Sequence, residues 1–302
     1  MASDVGKSRH DGAPAAAGST IPDPTVIFLH VGKTGGWTLR QVLYRNVGRS
    51  QVMRVKPPRD RPRGFLNVQP LEDFAALSSA DRERPRLIVS HMIFGIHESV
   101  PRPSTYISML RHPVPRAISQ YRHVARTAGH RLHERAAAGM TIEEYVTSGV
   151  ALEMDNAQTR AIAGDVETPF GECGRDMLER AKRHIDQHFS IVGLTERFDE
   201  TLLLLDGTFG WRNLYYVRTN SAPDTQRAPI SESAKRAIAA QNWLDCELYE
   251  YVSDKLDARL RASFPALEAD LRRFRTGNRL YKPWGRLCYR AKQRAVRTFE
   301  RT

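Results

Sequence analysis

Three things are scarce in this sequence, and each scarcity narrows what the protein does. Cysteine is the first: Cys173, Cys246 and Cys288 are scattered over 302 residues. An odd, widely spaced set excludes a complete disulfide framework and offers no pair at metal-ligand spacing, so no metal site is expected. Idle thiols in a reducing compartment are the simpler account. Long apolar runs are the second. Met1 to Pro24 is rich in Ala, Gly, Asp and Ser and has neither the apolar core of a secretion signal nor a membrane span. Residues 1–24 are therefore expected to be disordered, and the protein to be cytoplasmic.

Acidic residues are the third: 34 Asp and Glu stand against 46 Lys and Arg, a formal net charge of +12. A basic balance of this size first suggests nucleic acid, but its distribution argues otherwise. From Leu271 to Thr302, eleven Lys and Arg face a single acid, Glu300. Little excess remains for the rest of the chain, so no nucleic-acid partner is expected. Within this end, Leu287, Ala291, Ala295 and Phe299 recur at helical spacing, preceded by Tyr281 and Trp284. Residues 276–302 thus read as a basic amphipathic tail. It either meets an anionic membrane at the inner surface or packs on the domain by one stripe.

Between these ends, short apolar strands alternate with amphipathic helices. Val26–Val31, Leu87–Ser90, Tyr106–Leu110, Ile191–Leu194 and Leu214–Val217 read as strands. The alternation predicts an α/β fold: a P-loop-like central parallel β-sheet flanked by helices, one domain over 25–275. A second basic cluster, Arg54, Lys56, Arg59, Arg61 and Arg63, is broken by Pro57, Pro58 and Pro62 and reads as a loop after the first helix.

The first strand runs into Gly32-Lys33-Thr34-Gly35-Gly36-Trp37-Thr38, with a helix-like segment following at once. Strand, glycine loop and helix in that order build an anion cradle. Backbone N–H groups and the positive end of the helix dipole converge, and glycines admit a phosphate. The nucleoside-triphosphate loop, G-x-x-x-x-G-K-[ST], would need its first glycine at position 27, which is Ile27. The loop is too short for that motif. A P-loop-like kinase or hydrolase also lacks a convincing apolar strand ending in Asp to hold Mg²⁺.

A second element begins where Tyr106–Leu110 ends. Arg111 closes the strand, Pro113 suits the first turn of a helix, and Ser119 falls about two turns along it. An arginine fork and a hydroxyl placed this way converge on one phosphate if the helix folds back beside the strand.

His30-Val31-Gly32-Lys33-Thr34-Gly35-Gly36-Trp37-Thr38 closely resembles the H-[IV]-x-K-T-G-G-T-[ST] loop of the carbohydrate sulfotransferases of the Golgi type and their bacterial relatives. Leu110 to Tyr121 resembles the same family's L-R-D-P-[VI]-x-R-x-x-S-x-[YW]. Asp155 to Arg160 and Ile191 to Phe198 resemble its N-x-Q-x-R and V-G-x-T-E-x-[FL] elements, so the likeness runs from about Thr25 to Asn220. It departs at Trp37, usually a small hydroxyl residue, and at His112, usually Asp. The resemblance implies 3′-phosphoadenosine 5′-phosphosulfate as cofactor, leaving adenosine 3′,5′-bisphosphate. Gly32 to Thr38 would hold its 5′-phosphate, and Arg111 and Ser119 its 3′-phosphate. The implied acceptor is an alcohol, most naturally a glycan or glycolipid hydroxyl.

Such a transfer needs a cation to stabilise the departing phosphate, and Lys33 is placed for that. It also needs a base for the acceptor proton, for which histidine is suited near neutral pH. Two histidines compete. His91 follows the strand Leu87–Ser90 and matches the base of the uronyl 2-O-sulfotransferase branch. His97, in Gly95-Ile96-His97, matches that of the glucosaminyl 6-O branch. His91 is favoured slightly, and both stay open. His30 reads as shaping the turn, while His123, His130 and His133 read as solvated. Thr141 and Glu144 have capping-box spacing, a structural role. A non-catalytic protein bound to a membrane surface through the tail is the remaining alternative.

Overall fold

A computed structural model describes residues 24–55, 66–218 and 229–299, with side chains through Tyr289. The segment expected to be disordered lies, apart from Pro24, outside the described residues, as does the basic loop beyond Val55.

The strands are β1 (Thr25–Leu29), β2 (Val52–Arg54), β3 (Leu87–Ser90), β4 (Ser104–Leu110) and β5 (Phe189–Leu194). They form one sheet in the order β2-β3-β1-β4-β5, every pairing parallel. The helices are α1 (Gly36–Val47), α2 (Gln69–Ala75), α3 (Ser79–Glu83), α4 (Pro113–Arg126), α5 (His133–Ala137), α6 (Ile142–Thr147), α7 (Ala157–Ala163), α8 (Arg175–His188), α9 (Phe198–Phe209), α10 (Glu232–Gln241), α11 (Trp243–Ser263) and α12 (Leu267–Phe299). β1 is buried at every position and β4 at all but its first residue. That is the signature of parallel strands covered on both faces, and it explains why they read as near-continuous apolar runs.

The α/β expectation holds, with two differences. Leu214–Val217 is not a strand. Its backbone groups find side-chain partners instead of a ladder: the Arg45 guanidinium donates to the carbonyls of Asn213 and Tyr215, and Asn278 Oδ1 accepts from the Tyr216 N–H at 2.7 Å. Conversely, β2 went unread because an edge strand of three residues carries too short a pattern to register.

The expected boundary at 275/276 is no break. α12 begins inside the predicted domain and runs straight across it. Leu271, Phe274 and Asn278 are buried, and a Cβ on Gly277 or Gly285 would overlap Tyr215 or Tyr281. The tail is therefore docked through Gly285. Leu287, expected on the packed stripe, is largely exposed.

Two polar networks tie distant parts of the chain together. Asp245 on α11 accepts from the backbone N–H groups of Gln158 and Thr159 and from the Thr159 hydroxyl. It also lies 4.0 Å from the wholly buried Arg116 on α4. Asp155 pairs with the buried Arg160 at 2.6 Å and accepts from the Gly171 N–H. The resembling N-x-Q-x-R element thus starts α7 and anchors it.

Candidate active site

The glycine loop sits where β1 leaves the sheet. The His30 N–H donates to the Ser90 carbonyl at 3.1 Å, so the ends of β1 and β3 are tied where the loop begins. The Thr34 hydroxyl donates to the Val31 carbonyl at 2.9 Å and closes the turn. Gly35, at φ 77, takes the left-handed conformation that lets α1 start. At Gly36 the constraint is steric: a Cβ would come within 2.2 Å of the His30 ring. The His30 imidazole therefore occupies the space a side chain at 36 would need. At the positive dipole end of α1 the N–H groups of Gly36 and Trp37 have no acceptor within the helix, while those of Thr38 and Leu39 donate to the Gly35 carbonyl.

Lys33 is itself at φ 70, unusual for a side chain of this kind. Its ammonium is pushed down to about 8 by burial first, then by the charges of Arg126 and Arg111. The Arg111 guanidinium donates to the Lys33 carbonyl at 3.3 Å and lies 4.0 Å from Glu196. Lys33 and Arg111 therefore stand together at the glycine loop, and the charge of the exposed Arg126 also acts on Lys33. Arg111 is fixed at its base by Gln158, which accepts from its N–H at 2.9 Å and donates to its carbonyl at 2.8 Å. Thr195, after β5, donates to the carbonyls of Thr34 (2.7 Å) and Leu110 (2.9 Å), locking the loop to the end of β4.

The two departures from the family pattern have local explanations. His112 caps α4, its Nδ1 accepting from the Val114 N–H at 3.4 Å, as a carboxylate would. Trp37 is 38% exposed and carries the Arg40 guanidinium 3.9 Å over its ring. The hydroxyl residue usual at that position cannot make this contact. Ser119 is half-buried on α4.

The two candidate bases lie on opposite faces of the sheet. His91 stacks on His30 (centroids 4.1 Å), which stacks on Phe28 (5.1 Å), and its Nδ1 meets the His30 carbonyl at 2.8 Å. Burial holds it below the ordinary histidine value. His97 belongs to the Tyr106 face. Its Nδ1 meets the Tyr106 hydroxyl at 3.0 Å, and it packs among Phe94, His184 and His188. Tyr106 pairs with Ile27, the neighbour of Phe28, so the two faces alternate by the strand pleat. Burial, then His188, lowers His97 too.

Two residues at the loop were missed in the sequence. His123, read there as solvated, is half-buried and is lowered by burial and then by Lys33. Arg126 is the charge that acts most on Lys33. With Ser119 they stand at i, i+4 and i+7 on α4, one helical stripe. That spacing was the available signal, though nothing local says which side of α4 meets the loop.

Comparison with known proteins gives the family. The family described as galactose-3-O-sulfotransferase matches residues 1–294. Heparan-sulfate 6-O-sulfotransferase 2 of Mus musculus is 29% identical over 300 residues, covering 86% of this chain and 48% of its own. The Homo sapiens protein of that name is 30% identical over 273 residues, covering 77% and 44%. The chain thus spans about half the length of these relatives. A solved sulfotransferase from Alicyclobacillus acidocaldarius covers 76% of this chain and 96% of its own at 14% identity, with a TM-score of 0.39, too low to carry weight. By the match over nearly its whole length, the chain belongs to the galactose-3-O-sulfotransferase family.

Proposed function

We propose that the protein transfers a sulfuryl group from 3′-phosphoadenosine 5′-phosphosulfate to an alcohol, a carbohydrate or glycolipid hydroxyl. The observation that carries this reading is Lys33 in a glycine loop at a helix N-terminus, with the Arg111 guanidinium donating to its carbonyl at 3.3 Å. The residues suit the cofactor: the loop leads into the N-terminus of α1, and among the described residues the carboxylate paired with its cations is Glu196, 4.0 Å from Arg111. When bound, the cofactor supplies the sulfuryl group and a phosphate as leaving group. Gly32 to Thr38 would hold the 5′-phosphate through backbone N–H groups, and Arg111 with Ser119 the 3′-phosphate. Lys33, kept charged by a phosphate beside it, stabilises the charge that grows on the leaving oxygen. A neutral histidine takes the acceptor proton, and burial keeps both His91 and His97 neutral near pH 7. His91 is the better placed, since its partner His30 packs directly against the loop.

Thermal melting with adenosine 3′,5′-bisphosphate tests the reading, together with transfer of labelled sulfate to glycans and glycolipids. The nucleotide is expected to raise Tm, and Arg111→Ala to remove most of that rise. Stabilisation by ATP and not by the bisphosphate would replace this reading with a nucleotide kinase or hydrolase.

The proposal includes a cytoplasmic setting, supported by the three free cysteines. It also includes peripheral contact with an anionic membrane through α12. Leu280, Trp284 and Leu287, which are 77%, 60% and 64% exposed, form an apolar ridge there. Flotation with vesicles is the measurement that decides this last part.

A further inference from the structure

α12 carries three stripes of different chemistry. Leu271, Phe274, Asn278 and Gly285 face the domain, and Leu280, Trp284 and Leu287 face solvent. Arg275, Arg279, Lys282 and Arg286 form the third, spaced 4, 3 and 4 residues apart. At 1.5 Å per residue they draw a line of cations about 16 Å long.

This line is one wall of a cleft of about 450 Å³. Tyr216, Val217 and Arg218 form the facing wall, so a fifth cation looks across at the other four. One acid, Asp199, shares the cleft, and it is already engaged. It accepts from the Tyr216 hydroxyl at 2.8 Å and from Arg275 Nε at 3.1 Å. Arg279, Lys282 and Arg286 make no ion pair with any described residue. Like charges held between two walls focus a positive potential, which an extended polyanion satisfies better than a single small anion does.

The cleft is also close to the loop. Asp199 is four residues, one helical turn, beyond Thr195, whose hydroxyl holds the Thr34 carbonyl. Four residues of chain span at most about 14 Å, so a ligand lying in the cleft is within reach of the loop's anchor at Thr195.

We propose that this cleft binds a linear, multiply sulfated or carboxylated carbohydrate, as an extension of the acceptor site. The acceptor role rests on the transfer reading above; the binding itself does not. The cleft's shape disfavours a bilayer, because a second wall, Tyr216 to Arg218, faces the cations and the apolar ridge lies roughly 135° away around α12, at 100° per residue. A single-stranded nucleic acid is disfavoured because Tyr216, the cleft's aromatic residue, is packed edge-on against Phe198 (4.8 Å) and bonded to Asp199. No ring is offered for base stacking.

The test is calorimetric titration of the full chain with a size-defined dextran sulfate oligosaccharide at two salt concentrations. The comparison is the triple variant Arg279→Glu, Lys282→Glu, Arg286→Glu. These side chains are exposed, so the variant should keep its Tm and its affinity for adenosine 3′,5′-bisphosphate. Dextran sulfate binding is expected to weaken at least about tenfold, with a shallower salt dependence, while neutral dextran does not bind either protein. Equal binding by the variant would overturn the proposal. So would tighter binding of a DNA oligonucleotide, or of anionic vesicles, through the same three residues. If the wild type binds dextran sulfate but not the bisphosphate, the transfer reading fails and the cleft stands.

Discussion

Lys33 connects backbone geometry, proton equilibrium and ligand binding at one position. Burial and the neighbouring Arg126 and Arg111 bring its ammonium down to about 8, from an ordinary value near 10.5. A phosphate favours the charged form, so binding draws a proton onto Lys33 as pH rises through 8. Affinity for adenosine 3′,5′-bisphosphate is therefore expected to be flat below about pH 8 and to fall above it. The slope should approach one proton per site, and Lys33→Arg should flatten it by staying charged. Calorimetric affinities between pH 6.5 and 9.5 check this, and a flat wild-type profile would refute the assigned role. The sign is opposite for stability of the ligand-free protein. The unfolded chain holds this proton to higher pH than the folded one, so the contribution rises between about 8 and 10.5.

At the scale of elements, the site is where three strand ends and two helix starts meet. β1 delivers the loop, β4 delivers Arg111, and β5 delivers Thr195, which bolts the other two together. α4 then brings a stripe that reaches from Ser119 through His123 to Arg126. We expect Arg126→Ala to cost both nucleotide affinity and turnover, because its charge acts on Lys33. Among the histidines, His91→Ala is expected to lose turnover by at least about a hundredfold with bisphosphate affinity kept, the range of general-base catalysis. His97→Ala is expected to lose far less. Steady-state kinetics with parallel binding measurements separate the two, and the reverse ranking would move the base to the Tyr106 face.

The readable part of this site was local in sequence. Lys33 and its glycines declare an anion loop because only such a turn needs those residues together, and Pro113 marks the start of α4 on its own. Arg126 and His123 were illegible because their meaning depends on which side of α4 meets the loop, a decision made by Ala117 and Val124 packing on a separate core cluster. Leu214–Val217 was misread for a related reason. Its apolar pattern is that of a strand, yet Arg45 and Asn278, far away in sequence, take its backbone groups. The Thr141–Glu144 capping box, by contrast, is wholly local and forms as expected.

Across the whole molecule, the carboxyl-terminal third holds the middle of the chain in place. Asp245 reaches back some 86 residues to α7, and Asn242 accepts from the Asn156 N–H at 3.1 Å. α12 continues this by pinning Tyr216, and beyond that contact it presents its apolar ridge outward. If the ridge meets a bilayer, the protein should float with vesicles rich in anionic lipid. The triple variant Leu280→Ser, Trp284→Ser, Leu287→Ser should remain at the bottom of the gradient with an unchanged Tm, since these side chains stabilise little in water. Equal flotation of both proteins would remove the membrane from the account.

The left-handed turn at Lys33 has a consequence for lineage. A lysine there sits about 1–2 kcal/mol above a residue suited to that conformation. Glycine or asparagine would relax the fold at once while deleting the charge. If Lys33 has the proposed role, stability and chemistry pull this position in opposite directions. A sister chain with this fold and Gly or Asn in its place is then expected to have lost the transfer.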